Sequence, residues 1–86
     1  MLTLIQKVNP GYPAEARAAR VQGAVDLAIV VGLDGSVVSI EAKDGPEMLV
    51  PAAIEAVKQW KYQPSIFNGH PVEVAYDVNV NYSLGN

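Results

Sequence analysis

The most regular pattern in this sequence is an alternation of apolar and polar residues near its end. From residue 72 to residue 82, every second side chain is apolar or aromatic, and the side chains between them are mostly polar. A period of two is typical of a β-strand that buries one face. The pattern therefore predicts one long, half-buried final strand. The residues expected on its core face are Val72, Val74, Tyr76, Val78, Val80 and Tyr82.

A second alternation predicts a strand at residues 23–31, followed by a hairpin. Asp34-Gly35 between two apolar runs is a strong hairpin signal, so residues 36–43 are expected to return antiparallel to this strand. Either Val37 or Val38 faces inward, and a bulge would decide between them. The core face of the first strand is expected to carry Val25, Leu27, Ile29 and Val31.

Two other segments have the composition and spacing of helices. Pro13 suits a first helical position because its φ is fixed and it has no N–H to bond. The helix formers at residues 14–20 continue this helix until Gly23 stops it. A second helix follows a break at residues 44–46, and we interpret Trp60 on it as a core anchor rather than a ligand platform. The apolar stripe of the second helix consists of Leu49, Ala53, Ala56, Val57 and Trp60.

The order helix, strand, strand, helix, strand predicts an α+β fold, with two short helices packed on one face of a three-stranded antiparallel sheet. Residues 1–9 are expected to form a lead-in with a short strand at Leu2 to Ile5, and residues 10–86 a single domain. A turn is expected at residues 68–71. Three strands cannot close a barrel, so the last strand is expected at an edge, where unpaired N–H and C=O groups can accept another chain.

Composition and charge exclude several classes of function. The 86 residues are 50% hydrophobic and 17% charged, which is enough apolar material for a core. The net charge of -3 argues against binding to nucleic acid, which requires a basic face. The chain has no cysteine, and no window is as long and apolar as a membrane span.

No combination of side chains in the sequence predicts catalysis or metal binding. His70 is the only histidine, and it lies in a predicted turn with no cysteine to join it in a metal site. Asp34 belongs to a turn, while Asp26 and Asp77 lie on polar strand faces. Arg17 and Arg20 fit a solvated helix face better than a carboxylate-binding patch. We therefore expect a protein that is not an enzyme and has no catalytic residue, metal or cofactor.

An ordered set of short motifs, extending from about Val8 to Leu84, resembles the C-terminal domain of the TonB energy-transducer family. No single motif is specific, but their order and spacing are. The structural motif residues among them are Tyr12, Pro13, Gly23, Trp60 and Pro64. The full set is Tyr12-Pro13, Ala16, Gly23, Asp34-Gly35 with Val37, Ala52-Ala53 with Ala56, Trp60-Lys61-Tyr62 with Pro64, and Gly69-x-Pro71-Val72.

The resemblance implies a periplasmic domain of a protein that is anchored in the inner membrane by a segment outside this sequence. Such a domain pairs by strand addition with an extended segment, the Ton box, near the N-terminus of an outer-membrane transporter. It transmits energy derived from the proton-motive force, and it reaches inner-membrane motor proteins only through regions outside this sequence. The expected partner-binding edge is Val72, Glu73, Val74, Ala75, Tyr76, Asp77, Val78, Asn79, Val80 and Asn81.

Two alternatives remain open on the sequence. A long exposed edge also suits an envelope self-association module, in which two copies form a homodimer by pairing or exchanging their last strands. The chain could instead be a TonB-like domain of another envelope or signalling protein that has no transporter partner. Self-pairing and peptide binding use the same hydrogen bonds, so a bound peptide should oppose dimerisation.

Overall fold

The computed structural model describes residues 3–85, which form two helices and seven strands. The helices are α1 (Ala14–Ala18) and α2 (Val50–Val57). The strands are β1 (Leu4–Gln6), β2 (Gly23–Val31), β3 (Val37–Asp44), β4 (Lys61–Tyr62), β5 (Ser65–Phe67), β6 (His70–Val72) and β7 (Val74–Tyr82).

The main sheet has three antiparallel strands in the order β3-β2-β7. The β7 strand pairs with β2 in one unbroken register, from Gly23 opposite Tyr82 to Val31 opposite Val74. Residues of both helices pack with the core face of this sheet in a single buried cluster. The predicted α+β architecture and the edge position of the last strand are therefore confirmed.

The buried cluster matches the apolar faces read from the sequence. In β2 the four core-face residues are at most 1% exposed, because strict alternation places them all under the helices. The predicted stripe of the second helix is also buried, but α2 ends at Val57, so Trp60 lies three residues beyond the helix rather than on it. Trp60 is only 6% exposed, so its interpretation as a core anchor is confirmed. The buried residues of these two sets are Val25, Leu27, Ile29, Val31, Leu49, Ala53, Ala56, Val57 and Trp60.

A bulge in β3 decides between the two adjacent valines. Val31 pairs with Val37 and Val30 pairs with Ser39, so Val38 is an extra residue without an opposite partner. Val37 packs against the core, while Val38 is 57% exposed. A second shift in register lies near the end of β3. Asp26 of β2 pairs with Asp44 and Leu27 pairs with Ala42, so Lys43 is an extra residue and β3 is irregular near both ends.

The predicted final strand begins later than its alternation indicates. Val72 belongs to β6 and pairs with Ser65 in a small hairpin with β5, while Glu73 lies between β6 and β7. The predicted turn is present, and Asn68 and Gly69 both have positive φ, 52° and 81°, as the tightest hairpin turns require. The apolar alternation continues through Glu73, but the pairing partner changes there from β5 to β2. The prediction of one continuous strand from Val72 was therefore wrong.

Burial along β7 also differs from the prediction at Tyr76. We expected both tyrosines of this strand on the core face, yet Tyr82 is 6% exposed and Tyr76 is 47% exposed. The ring of Tyr76 packs edge-to-face on Tyr62, with centroids 6.3 Å apart. The core therefore covers β7 fully only from Val78 onwards.

The first helix is shorter than its composition predicts. It ends at Ala18, and Arg20 adopts a left-handed conformation with φ of 58°, so the helix has stopped before Gly23, which starts β2. Pro13 occupies the capping position before the helix rather than its first turn. The predicted short strand at 2–5 appears as β1, shifted towards Gln6, and Leu2 lies outside the described residues.

Trp60 also joins the lead-in to the core. Its indole Nε1–H donates a hydrogen bond to the carbonyl of Val8 at 2.8 Å, across 52 residues of sequence. The short strand β1 then pairs with β4, directly after Trp60. One side chain thus both fills the core and orders the chain before the first helix.

Replacing Trp60 by Ala should lower the free energy of unfolding by about 3–5 kcal/mol, because the change leaves a cavity in the core and removes the hydrogen-bond donor to the Val8 carbonyl. Trp60→Phe, which keeps an aromatic ring but loses the hydrogen bond, should cost clearly less. Urea unfolding followed by circular dichroism measures both variants. A Trp60→Ala domain that unfolds at the wild-type urea concentration would contradict this role.

Half-buried Tyr12 and buried Tyr82 pack against each other but have different hydroxyl environments. The rings pack edge-to-face, 5.3 Å between centroids and 85° between planes. The Tyr12 hydroxyl donates to the carbonyl of Val21. The Tyr82 hydroxyl is buried, and none of the residues that the structure describes gives it a hydrogen bond.

Tyr82→Phe is therefore expected to raise the free energy of unfolding by about 1 kcal/mol, since it removes a buried hydroxyl without a partner. Tyr12→Phe removes the same atom from a satisfied position and should lower stability by a similar amount. Thermal melts of the two single variants provide the comparison. Equal effects of the two changes would show that the hydroxyl environments do not differ.

Burial also predicts a loss of stability at alkaline pH. Burial and then the neighbouring Tyr76 raise the pKa of Tyr62 above its ordinary value of 10.0, and burial raises the pKa of Tyr82 likewise. A tyrosine whose pKa is raised by folding stabilises the fold below the unfolded value, and this contribution disappears as pH rises through the folded pKa.

The free energy of unfolding should therefore fall as pH increases above about 10, and Tyr62→Phe should reduce the slope of that fall. Denaturant titrations at several pH values between neutral and strongly alkaline measure the slope. The two proteins differ only in this phenol, so the difference between their slopes isolates its contribution. Identical slopes would contradict the assignment.

Candidate partner-binding edge

The strand β7 offers one edge for pairing. It pairs with β2 along its whole length on one side, and among residues 3–85 no strand pairs with its other side. In an extended strand, successive residues direct their N–H and C=O groups to opposite sides. About half of the β7 residues therefore present both groups to the open edge.

A cleft runs along the second half of this edge. One wall consists of residues 79–83, and the other consists of Lys7, Asn9, Pro10, Tyr12 and Trp60. We call it the edge cleft; its volume is about 470 Å³. Four consecutive residues of β7, Asn79 to Tyr82, and Ser83 after them line it. The side chains of the four strand residues alternate between faces, so the cleft meets the backbone edge rather than one face of the sheet.

The two sides of the β7 edge differ in charge. On the core side, the ammonium of Lys7 lies 5.7 Å from the centroid of the Trp60 ring, a cation–π arrangement. On the outer side, Asp77 is exposed, and Asn79 donates a side-chain hydrogen bond to Asp26 of β2. A chain beside β7 would therefore meet a cation on one face and carboxylates on the other.

The residues predicted for the edge fall into two groups. Val74, Ala75, Tyr76, Asp77, Val78, Asn79, Val80 and Asn81 lie in β7, which extends to Tyr82. Val72 and Glu73 lie outside β7. Val72 belongs to β6 of the β5–β6 hairpin, and Glu73 connects β6 to β7. Whether the eight strand residues bind a partner stays a prediction.

Three of the five structural motif residues lie at this edge. Tyr12 and Trp60 line the edge cleft, and Gly23 pairs with Tyr82 at the end of β7. Pro13 precedes α1, while Pro64 follows β4 and lies away from the cleft. The sequence did not identify Lys7, Asn9 or Pro10, because nothing local signals that the lead-in returns to β7 through Trp60.

The residues considered for chemistry are not assembled into one site. The described residues contain no group of three side chains that could hold a metal ion, and His70 is exposed in β6. Asp34 caps its turn by accepting hydrogen bonds from the N–H and Oγ of Ser36, at 3.0 and 2.6 Å. These bonds lower the pKa of the Asp34 carboxyl.

In the described part of the chain, neither helix has the length and apolar character to cross a membrane.

Comparison with known sequences points to one family. The model of the family described as Gram-negative bacterial TonB protein C-terminal matches residues 8–84. Protein TonB of Vibrio cholerae serotype O1 is 32% identical over 80 residues, which cover 91% of this chain and 33% of that protein. Protein TonB of Xanthomonas campestris pv. campestris strain B100 is 38% identical over 77 residues, covering 87% of this chain and 34% of that protein. The chain thus spans about a third of the length of these relatives.

A solved structure has the same fold. The solution NMR structure of the Pseudomonas aeruginosa TonB CTD superimposes with a TM-score of 0.81 at 18% sequence identity, and covers 99% of this chain and 88% of that one. At this identity the likeness concerns the fold alone. The family match over residues 8–84 covers both helices and all three strands of the main sheet. The chain belongs to the TonB C-terminal domain family.

Proposed function

We propose that this chain is the periplasmic domain through which a TonB-type energy transducer holds an outer-membrane transporter. An extended segment of the transporter, the Ton box, adds to β7 as a fourth strand of the main sheet. The rest of the transducer anchors the domain in the inner membrane and couples it to proton-driven motor proteins. The single observation that carries this proposal is the open, regular edge of β7 beside the edge cleft, in a member of this family.

The geometry favours β7 over the other edge of the sheet. Strand addition gains affinity from main-chain hydrogen bonds, and these require a regular run of N–H and C=O groups. The register of β7 on β2 is unbroken, whereas β3 has two shifts in its register on β2. Bulges of this kind protect an edge against further pairing. A partner strand is therefore expected on β7 alone.

The same arrangement suits a contact that bears force. A strand added to β7 lies parallel to the long hydrogen-bonded ladder between β7 and β2. Tension along the strand then loads many hydrogen bonds together, rather than one after another. The ladder passes the load to β2, whose core-face residues lie at the centre of the buried cluster. Holding a transporter under tension requires binding and no bond-making chemistry, so we propose a role without enzymatic activity.

Amide hydrogen exchange followed by NMR tests the proposal. A synthetic extended peptide of alternating Val and Thr residues should slow exchange at every second amide of β7, because only alternate N–H groups face the open edge. The amides that already bond to β2 should change little. The amides of β3 are the control within the molecule, and they should not respond.

A second series without peptide, at increasing protein concentration, separates the alternatives. Protection of the same alternate amides by concentration alone would favour the self-association module. No response of β7 to peptide or to concentration would contradict strand addition. Protection of β3 instead of β7 would place the partner on the wrong edge and would also contradict the proposal.

A further inference from the structure

The edge cleft has a charge pattern that bears on which segments can bind there. Of the described residues that line it, Lys7 is the one with a formal charge, in a chain whose net charge is -3. No carboxylate of the residues in the range 3–85 forms a salt bridge with its ammonium. The cleft therefore offers a partner one positive charge on a protein whose net charge is negative.

The backbone beside this charge is tied to the core. The Trp60 ring below it is 6% exposed, and its Nε1–H is bonded to the Val8 carbonyl, one residue after Lys7. The ammonium lies 5.7 Å from the ring centroid. The hydrogen-bonded backbone at Val8 thus places Lys7 at the wall of the cleft, with its ammonium near the Trp60 ring.

The outer side of the same edge has the opposite character. Asp77 and Asp26 occupy neighbouring strands on that face, and Ala28 lies beside them opposite Asp77 in the ladder. Both aspartates are exposed. A carboxylate of an added strand that pointed to this face would meet like charge, which is unfavourable.

Side chains of an added strand alternate between these two faces with a period of two. We propose that Lys7 makes the edge cleft selective for an extended segment that carries a carboxylate on its wall-facing side. Apolar side chains two residues away on the same side pack against Trp60 and Tyr12. This inference rests on the proposed strand addition, and it goes beyond it by defining the chemistry of the partner.

A positional scan tests the inference. In octapeptides of alternating Val and Thr, the Val side faces the wall and the Thr side faces outward. Each position in turn carries Glu or its uncharged counterpart Gln, and fluorescence anisotropy of labelled peptides gives the dissociation constants. At low salt, Glu should bind about two- to fivefold more tightly than Gln at a wall-facing position near Lys7. At outward positions the preference should vanish or reverse.

Variants assign the preference to the lysine. Lys7→Gln should remove the preference for Glu, and Lys7→Glu should turn it into a preference for a peptide with Lys at that position. Lys43→Gln makes the same change in net charge on β3, at the other edge of the sheet, and should leave the preference intact. About 0.5 M salt should reduce the effect, since exposed charges are screened.

The outcomes separate this inference from the proposed function. Equal affinities of Glu and Gln peptides for the wild type, with alternate β7 amides still protected, would overturn the role of Lys7 and leave strand addition standing. A Glu preference that survives in Lys7→Gln would also overturn it. If no peptide protects β7 at any concentration, strand addition fails and the selectivity fails with it.

Discussion

The ladder between β2 and β7 is the interaction on which the rest of this domain depends. It joins segments that are more than 40 residues apart in the sequence, and its register has no irregularity. Because side chains alternate, a slip of one residue would move Val78 and Val80 out of the core and Asn79 into it. The same register leaves the outer N–H and C=O groups of β7 in a straight row. Core packing and the shape of the open edge are therefore determined together.

Trp60 connects this sheet to the segment that precedes it. Its large ring, three residues after the end of α2, is buried in the core, and its indole N–H donates a hydrogen bond to the carbonyl of Val8. The edge cleft exists because the lead-in is held there, opposite the end of β7. A change at Trp60 should therefore affect both the stability of the fold and the wall of the cleft. Substitutions meant to probe binding are better placed at Lys7, which is exposed.

Much of the architecture could be predicted from the sequence, because local periodicity and burial agree. The alternation in β2 and the stripe of α2 correspond directly to buried faces. The errors occur where partners change without a change of pattern. Val72 continues the apolar alternation but pairs with Ser65 of β5. Tyr76 also continues it, but its side chain is largely exposed because the core does not cover that part of β7.

For a related reason, only one of the two walls of the edge cleft could be predicted from the sequence. A strand edge follows from the order of elements, so β7 could be identified. The opposite wall of the cleft depends on a hydrogen bond between residues 52 positions apart. No spacing rule brings Lys7 to Trp60, and only the folded chain shows that they meet. Features built from long-range contacts between irregular segments have no periodic signature.

The bulges of β3 have a consequence for the valency of the domain. A sheet with two regular edges can be extended from both sides, so copies could add without limit and form a fibre. Here the unpaired Val38 and the second shift in register make one edge a poor template, while β7 remains a good one. If the proposed strand addition occurs at β7, the main sheet therefore has one regular edge for a partner and no second one from which copies could continue to add.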